Sequence, residues 1–224
     1  MLCQSWRIDT ITNRLEQSYK QLYSYFNRWK IKVNESKTKS IIFSRRRPTL
    51  TEGLYCNNQL IRWCDQVKYL GLTLDRKLTF TAHVNDVCNK TIGTLCKLFP
   101  LLSRSSTLSE KNKIMIYKMV IRPLLIYGAP VWSNTSNTNY NKMQIVQNKC
   151  LRVCYDFSRG TPISQMHNKI EYVNNIITKI TSNFFQNCSN SRNPLIKEIG
   201  QYNIGYLESV YKKYKHKRTK HILL

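Results

Sequence analysis

The chain has 224 residues, 42% of them hydrophobic and 11% aromatic, which suits one large domain or two small ones with a true core and argues against a disordered chain. Its 36 Lys and Arg stand against 12 Asp and Glu, a formal net charge of +24. A compact body carrying that charge repels itself unless a polyanion neutralises it, and nucleic acid is the usual one because each phosphate contact releases counterions.

From the N-terminus, Ile8, Ile11, Leu15, Tyr19, Leu22, Phe26 and Trp29 recur at steps of three and four. That spacing predicts an amphipathic helix, with Arg14, Lys20 and Arg28 off its apolar stripe, packed on a sheet or on a coiled-coil partner. Lys30 to Asn34 alternates polar and apolar residues, and a polar turn spans Glu35 to Thr38. Ser40-Ile41-Ile42-Phe43 reads as a buried strand that Arg45-Arg46-Arg47-Pro48 stops. Leu54-Tyr55-Cys56 and Gln59-Leu60-Ile61-Arg62-Trp63 flank Asn57-Asn58 and predict a hairpin, since Asn tolerates the positive φ of tight turns. Val67 to Leu74 is a further strand with Gly71 in its middle, where a glycine marks a bulge or a close backbone approach.

From Phe80 the period becomes helical, with Phe80, Val84, Val87, Thr91, Leu95, Leu98 and Leu102 on one stripe. Thr107 and Glu110 form a capping box that opens a helix at about Leu108. Pro123 ends or bends that helix at Arg122. Leu124 to Trp132 is a short apolar stretch, Ser133 to Asn139 a polar loop, and Tyr140 to Tyr155 a helix. Thr161-Pro162 reads as an N-cap followed by Pro at the first helical position. Tyr172, Ile176, Ile180 and Phe184 mark one more helix, and Tyr211 to Arg218 is basic and aromatic with no apolar face.

The eight Cys are Cys3, Cys56, Cys64, Cys88, Cys96, Cys150, Cys154 and Cys188, without a CxxC. With no secretory leader expected, they read as small buried hydrophobes in a reducing compartment. Cys150, Cys154 and His167 match no standard zinc spacing. No apolar run reaches transmembrane length and no helix pairs a lysine face with a strongly apolar one, so no membrane partner is expected.

Trp29-Lys30-Ile31-Lys32-Val33-Asn34-Glu35-Ser36-Lys37-Thr38 resembles the post-catalytic palm segment of jockey-like non-LTR retrotransposon reverse transcriptases. Val67-Lys68-Tyr69-Leu70-Gly71-Leu72-Thr73-Leu74-Asp75 is similar to that family's primer-grip strand. Ile121-Arg122-Pro123-Leu124-Leu125-Ile126-Tyr127-Gly128-Ala129-Pro130-Val131-Trp132 is similar to its thumb signature, and Gln144-Ile145-Val146-Gln147-Asn148-Lys149-Cys150-Leu151-Arg152 to a later thumb helix. Thr161-Pro162-Ile163 with His167, then Asn193-Pro194-Leu195-Ile196, continue the order, so the likeness covers most of Ile8 to Ile199.

The resemblance implies an α+β fold. A partial palm over 1–75 (helix, short antiparallel strands, hairpin) precedes an all-helical thumb over 76–200 and a basic tail over 201–224. It implies a fragment of an RNA-directed DNA polymerase of a mobile element, contributing contact to primer and duplex and inactive alone. Its partners would be an RNA/DNA duplex, held without sequence preference, and the rest of the polymerase, inside the cell in nucleus or cytoplasm. The alternative is a stand-alone basic RNA- or DNA-binding module. Such enzymes carry adjacent aspartates that hold Mg2+. Here the Asp residues are Asp9, Asp65, Asp75, Asp86 and Asp156, no two adjacent. Two-metal chemistry needs carboxylates converging on ions about 3.5–4 Å apart. No catalytic residue, metal ligand or cofactor is therefore expected in this chain, Mg2+ being implied for the full-length enzyme.

The nucleic-acid-binding candidates are Lys37, Tyr69, Leu70, Gly71, Lys90, Lys97 and Arg122. Lys37 matches the lysine of the palm's fourth motif, which approaches the leaving pyrophosphate; read alone it is a solvated turn residue. Tyr69, Leu70 and Gly71 match the primer grip, where a small residue lets backbone approach a sugar-phosphate chain beside an aromatic; ordinary strand packing is the plain alternative. Lys90 and Lys97, with Arg104, Lys111, Lys113 and Lys118, would line a duplex minor groove read by shape. Arg122 lies in the thumb signature with Tyr127 and Trp132, both expected in the core.

Overall fold

The computed structural model describes residues 1, 3, 5, 7–44, 53–56, 59–158, 160–168 and 170–200. The chain divides into two compact units, one ending at Thr79 and the other beginning at Phe80. The class is α+β: strands occur before Thr79, and only helices and loops after it among the described residues.

In the first unit, α1 (Ile8–Arg28) buries Ile11, Leu15 and Tyr19, the first half of the predicted stripe. Ile11 and Leu15 pack with Ile42 and Leu54, and Tyr19 with Cys56 and Ile61. Past Tyr19 the stripe leaves the core: Leu22 and Trp29 are exposed. The alternation over Lys30 to Asn34 forms no strand. Lys30 takes a left-handed φ of 56° and Glu35–Lys37 is a single 3₁₀ turn. Strands β1 (Ser40–Ile41), β2 (Gly53–Cys56) and β3 (Gln59–Cys64) form one sheet with β3 in the middle. The β2–β3 hairpin is antiparallel as expected, with Leu54 opposite Ile61. β1 joins β3 in parallel, Ser40 opposite Trp63, which corrects the all-antiparallel expectation. Gly53 is required at its place, because a Cβ there would lie 2.3 Å from the Ile61 carbonyl oxygen. The arginine run at 45–47, Pro48 and the Asn57-Asn58 turn lie outside the described residues.

The predicted strand Val67 to Leu74 is two strands. β4 (Gln66–Tyr69) and β5 (Leu72–Asp75) pair antiparallel, Tyr69 opposite Leu72. Leu70 and Gly71 form the two-residue turn with φ of 47° and 83°. Positive φ at both positions is what a type I′ hairpin turn demands, because only the primed turns match the twist of the flanking strands. Gly71 therefore marks neither a bulge nor a mid-strand approach; it closes a hairpin.

The second unit opens with α2 (Thr81–Leu102), which buries Val84, Val87, Thr91, Leu95 and Leu102 as its stripe predicts. The next helix starts at Glu110, not Leu108. Ser109 is its N-cap, accepting from the Asn112 amide at 3.4 Å, so the Thr107–Glu110 capping box does not form. α3 (Glu110–Ile116) runs through a π-helical turn, Tyr117–Ile121, into α4 (Arg122–Ile126). The backbone thus stays helical past Pro123. The wider i→i+5 turn precedes the residue that lacks an amide donor, a known way to carry a helix across a proline. α5 (Ala129–Trp132), α6 (Asn137–Tyr155, N-capped by Ser136), α7 (Ile163–Met166), α8 (Val173–Ser189) and α9 (Pro194–Gly200) follow. Pro162 is the N-cap of α7, one place earlier than its predicted role. In α8 the buried face is Val173, Ile176, Ile177 and Thr181, rotated from the predicted stripe, so Phe184 and Tyr172 face water. The tail predicted from Tyr211 lies outside the described residues.

Candidate nucleic-acid interface

The seven candidate residues fall in both units: Lys37, Tyr69, Leu70 and Gly71 in the first, Lys90, Lys97 and Arg122 in the second. Lys37 ends the 3₁₀ turn, its amide donating to Asn34 Oδ1 at 3.1 Å and its side chain in solvent. The β4–β5 tip presents Tyr69 and Leu70, 61% and 73% exposed. Asp65 and Arg76 pair at 3.1 Å, and the Arg76 carbonyl accepts from the Ser44 amide at 2.9 Å, so the hairpin's open end is tied to the strand segment after β1. Asp75 holds the chain leaving β5, accepting from the Lys77 and Thr79 amides at 3.0 and 3.1 Å. A braced base and an apolar, solvent-facing tip suit contact with sugar and backbone rather than with base edges.

In the second unit, Lys90 and Lys97 are both exposed on α2, seven residues apart and hence on the same side of the helix. Lys111 and Lys118 are exposed as well. Lys113 is not available to a phosphate: it is buried, its ammonium donating to the Ser103 carbonyl at 2.6 Å. Arg104 pairs with Asp156 at 3.3 Å. Arg122 sits at the junction of the π turn and α4, half-buried, with Nε sequestered from solvent and making no hydrogen bond among the described residues. Trp132 is fully buried as expected, Nε1 donating to the Tyr127 carbonyl at 2.8 Å; Tyr127 itself is exposed, against expectation.

The signature on α6 proves to be a brace. Gln147 is fully buried and its amide donates to the Tyr117 hydroxyl and the Glu171 carbonyl, each at 3.0 Å. Gln144 Oε1 accepts from the Val173 amide at 3.0 Å. His167 Nδ1 donates to the Ile170 carbonyl at 2.8 Å, and Nε2 lies 2.9 Å from Asn148 Oδ1. The ring stacks on Tyr172, centroids 4.0 Å apart. Arg152 donates to the carbonyls of Ser158 and Thr161. These amides and the guanidinium give side-chain partners to backbone groups of the connection between α6 and α8. Burial also raises the Tyr117 hydroxyl's pKa, and pushes Cys150 up to about 12 and Cys154 up to about 11, so these groups stay protonated and serve packing.

The carboxylates do not fit a two-metal site. Asp65 and Asp156 each pair with an arginine, Asp75 caps backbone amides, and no three His, Cys, Asp or Glu converge among the described residues. No helix among them is long and apolar enough to cross a membrane.

Over 177 residues, 78% of its length, the chain is 32% identical to a probable RNA-directed DNA polymerase from transposon X-element of Drosophila melanogaster. It is 29% identical over 174 residues to the probable polymerase from transposon BS, and 31% over 152 residues to the RNA-directed DNA polymerase from mobile element jockey, both of the same fly. Over most of its length this chain is similar to the RNA-directed DNA polymerases of jockey-like non-LTR retrotransposons. It spans about a fifth of the length of these curated relatives, 19%, 19% and 16% of each. No protein-family profile and no solved structure matches it. Phe99 and Lys149 also line a groove between the last turns of α2 and α6 that the sequence does not announce, since Phe99 lies off the α2 stripe and Lys149 is one surface lysine among many.

Proposed function

We propose that this jockey-like chain is a primer- and duplex-contacting portion of an RNA-directed DNA polymerase, the first unit a palm remnant and the second a thumb. It holds an RNA/DNA duplex without reading sequence, acts inside the cell in nucleus or cytoplasm, and is inactive in DNA synthesis without the carboxylates that bind Mg2+ elsewhere in the polymerase. The observation that carries the reading is the β4–β5 tip. A braced hairpin holds Tyr69 and Leu70 out into solvent at the primer-grip-like segment, with Gly71 keeping the backbone bare at the turn. Lys90, Lys97 and Arg122 supply positive charge along the helical unit, and Lys37 a further charge in the first.

The test is duplex binding by the full chain as salt is raised. Each lysine that meets a phosphate adds about 0.9 to the slope of log K against log salt, so Lys90→Ala with Lys97→Ala lowers it by about 1.8. An unchanged slope removes both lysines from the interface. With primer, template, nucleotides and magnesium, no incorporation is expected, and robust synthesis overturns the inactivity. The +24 charge favours one further reading, a stand-alone nucleic-acid-binding module. Stimulation of an upstream polymerase portion by this chain in trans favours the polymerase reading; binding with no such stimulation favours the module.

A further inference from the structure

A shallow, open groove of about 750 Å³ lies between the last turns of α2 and α6. Phe99, half exposed, and Phe157, stacked on Tyr155 at 5.1 Å, both line it. Arg104, Lys149 and Arg152 surround it, with Asp156 as the one acid. Cations at helix C-termini are partly explained by the exposed carbonyls there. That accounts for Arg152, whose guanidinium is engaged by Ser158 and Thr161. It does not account for an exposed phenylalanine lining the same groove as Lys149 and Arg104. The side chains of the Arg104–Asp156 pair are 87% and 53% exposed, so the pair is worth little and Arg104 turns readily to a stronger anion.

The geometry points to a site for one nucleotide of single-stranded nucleic acid, its base stacked on Phe99 and its phosphate held by Lys149 and Arg104. A flat apolar ring sharing one groove with two exposed cations matches the pairing of base face and phosphodiester that sequence-tolerant single-strand binders use. The site is separate from the duplex contacts proposed above, and it rests on the reading of this chain as a nucleic-acid binder.

The full chain is titrated by fluorescence anisotropy with a labelled twelve-residue oligothymidylate and, in parallel, with a blunt RNA/DNA duplex. Phe99→Ala weakens single-strand binding about tenfold and leaves duplex binding unchanged. Lys149→Ala lowers the single-strand salt slope by about 0.7. Asp156→Asn removes the competing acid while keeping a residue that tolerates the φ of 55° found there, so it tightens single-strand binding several-fold. This gain guards against a loss that merely reports misfolding. If all three variants bind oligothymidylate as the parent does, the groove is not a nucleotide site, while duplex binding still upholds the wider reading. If the parent chain binds neither probe, both readings fall.

Discussion

Replacing Leu70 with Asn separates the hairpin's architecture from its use. Leu70 holds a φ of 47°, and a left-handed conformation costs an ordinary L-residue roughly 1–2 kcal/mol, a penalty Asn largely escapes. Against that stands the packing of a side chain 73% exposed. Full burial of a leucine is worth about 1.5–3 kcal/mol, so about a quarter of it, near 0.5 kcal/mol, is at stake. The balance is a stabilisation of about 0.5–1.5 kcal/mol, which for a unit of this size raises the melting midpoint by roughly 2–12 °C. Urea and thermal denaturation of the full chain measure the gain. If Leu70 also touches primer, Leu70→Asn raises stability and lowers duplex affinity together, a combination no purely structural residue produces. A drop in stability refutes the turn argument; a gain with unchanged affinity removes Leu70 from the interface.

Gly53→Ala forces a Cβ to within 2.3 Å of the Ile61 oxygen and breaks the β2–β3 pairing, costing about 2 kcal/mol or more by denaturant titration. Gln147→Leu leaves the buried Tyr117 hydroxyl and Glu171 carbonyl without their amide donor, a loss of about 1–3 kcal/mol in the same assay. His83 is buried beside Trp132, and burial is the main cause of its lowered pKa, opposed by Asp86 and reinforced by Lys90. The native state therefore resists protonation more than the unfolded chain does. Its contribution is intact above the ordinary value of 6.5 and is lost as pH falls below that toward the depressed native pKa. The difference in melting midpoint between parent and His83→Gln should shrink across that window, and a difference flat with pH contradicts the assignment. Under native conditions a maleimide should label exposed Cys96 and spare Cys150 and Cys154, as mass spectrometry of the labelled peptides would register.

Long periodic elements could be read from the residues alone. The α2 stripe from Phe80 to Leu102 is buried except at Leu98, which is half-buried, since one apolar face over six turns has one way to pack. The β2–β3 hairpin was legible for a similar reason: two strand-like runs separated by two asparagines. The β4–β5 turn was not, because its first residue is a leucine in a conformation that residue rarely accepts, and Gly71 alone reads equally well as a bulge. In α1 the stripe predicted burial through Trp29, but periodicity reports only which residues share a face, and the core ends at Tyr19. Exposure of Lys90 and Lys97 followed from their place off the apolar stripe of α2. Burial of Lys113 did not, since nothing nearby in sequence announces that Ser103 offers a carbonyl ten residues earlier. The likeness at Gln144 to Arg152 falls on α6, while the part its side-chain amides play in holding the connection to α8 depends on tertiary contacts that no local pattern announces.

The π turn at Tyr117–Ile121 behaves as a one-residue insertion absorbed without breaking the helix. Each residue advances an α-helix by about 100°, so everything from Arg122 onward is rotated by that angle relative to an uninterrupted helix. Deleting one residue of the turn would restore regular pairing and swing the Arg122 guanidinium and the buried Leu125 away from their present directions together. The phase of this helix, more than its composition, therefore decides which way its arginine points.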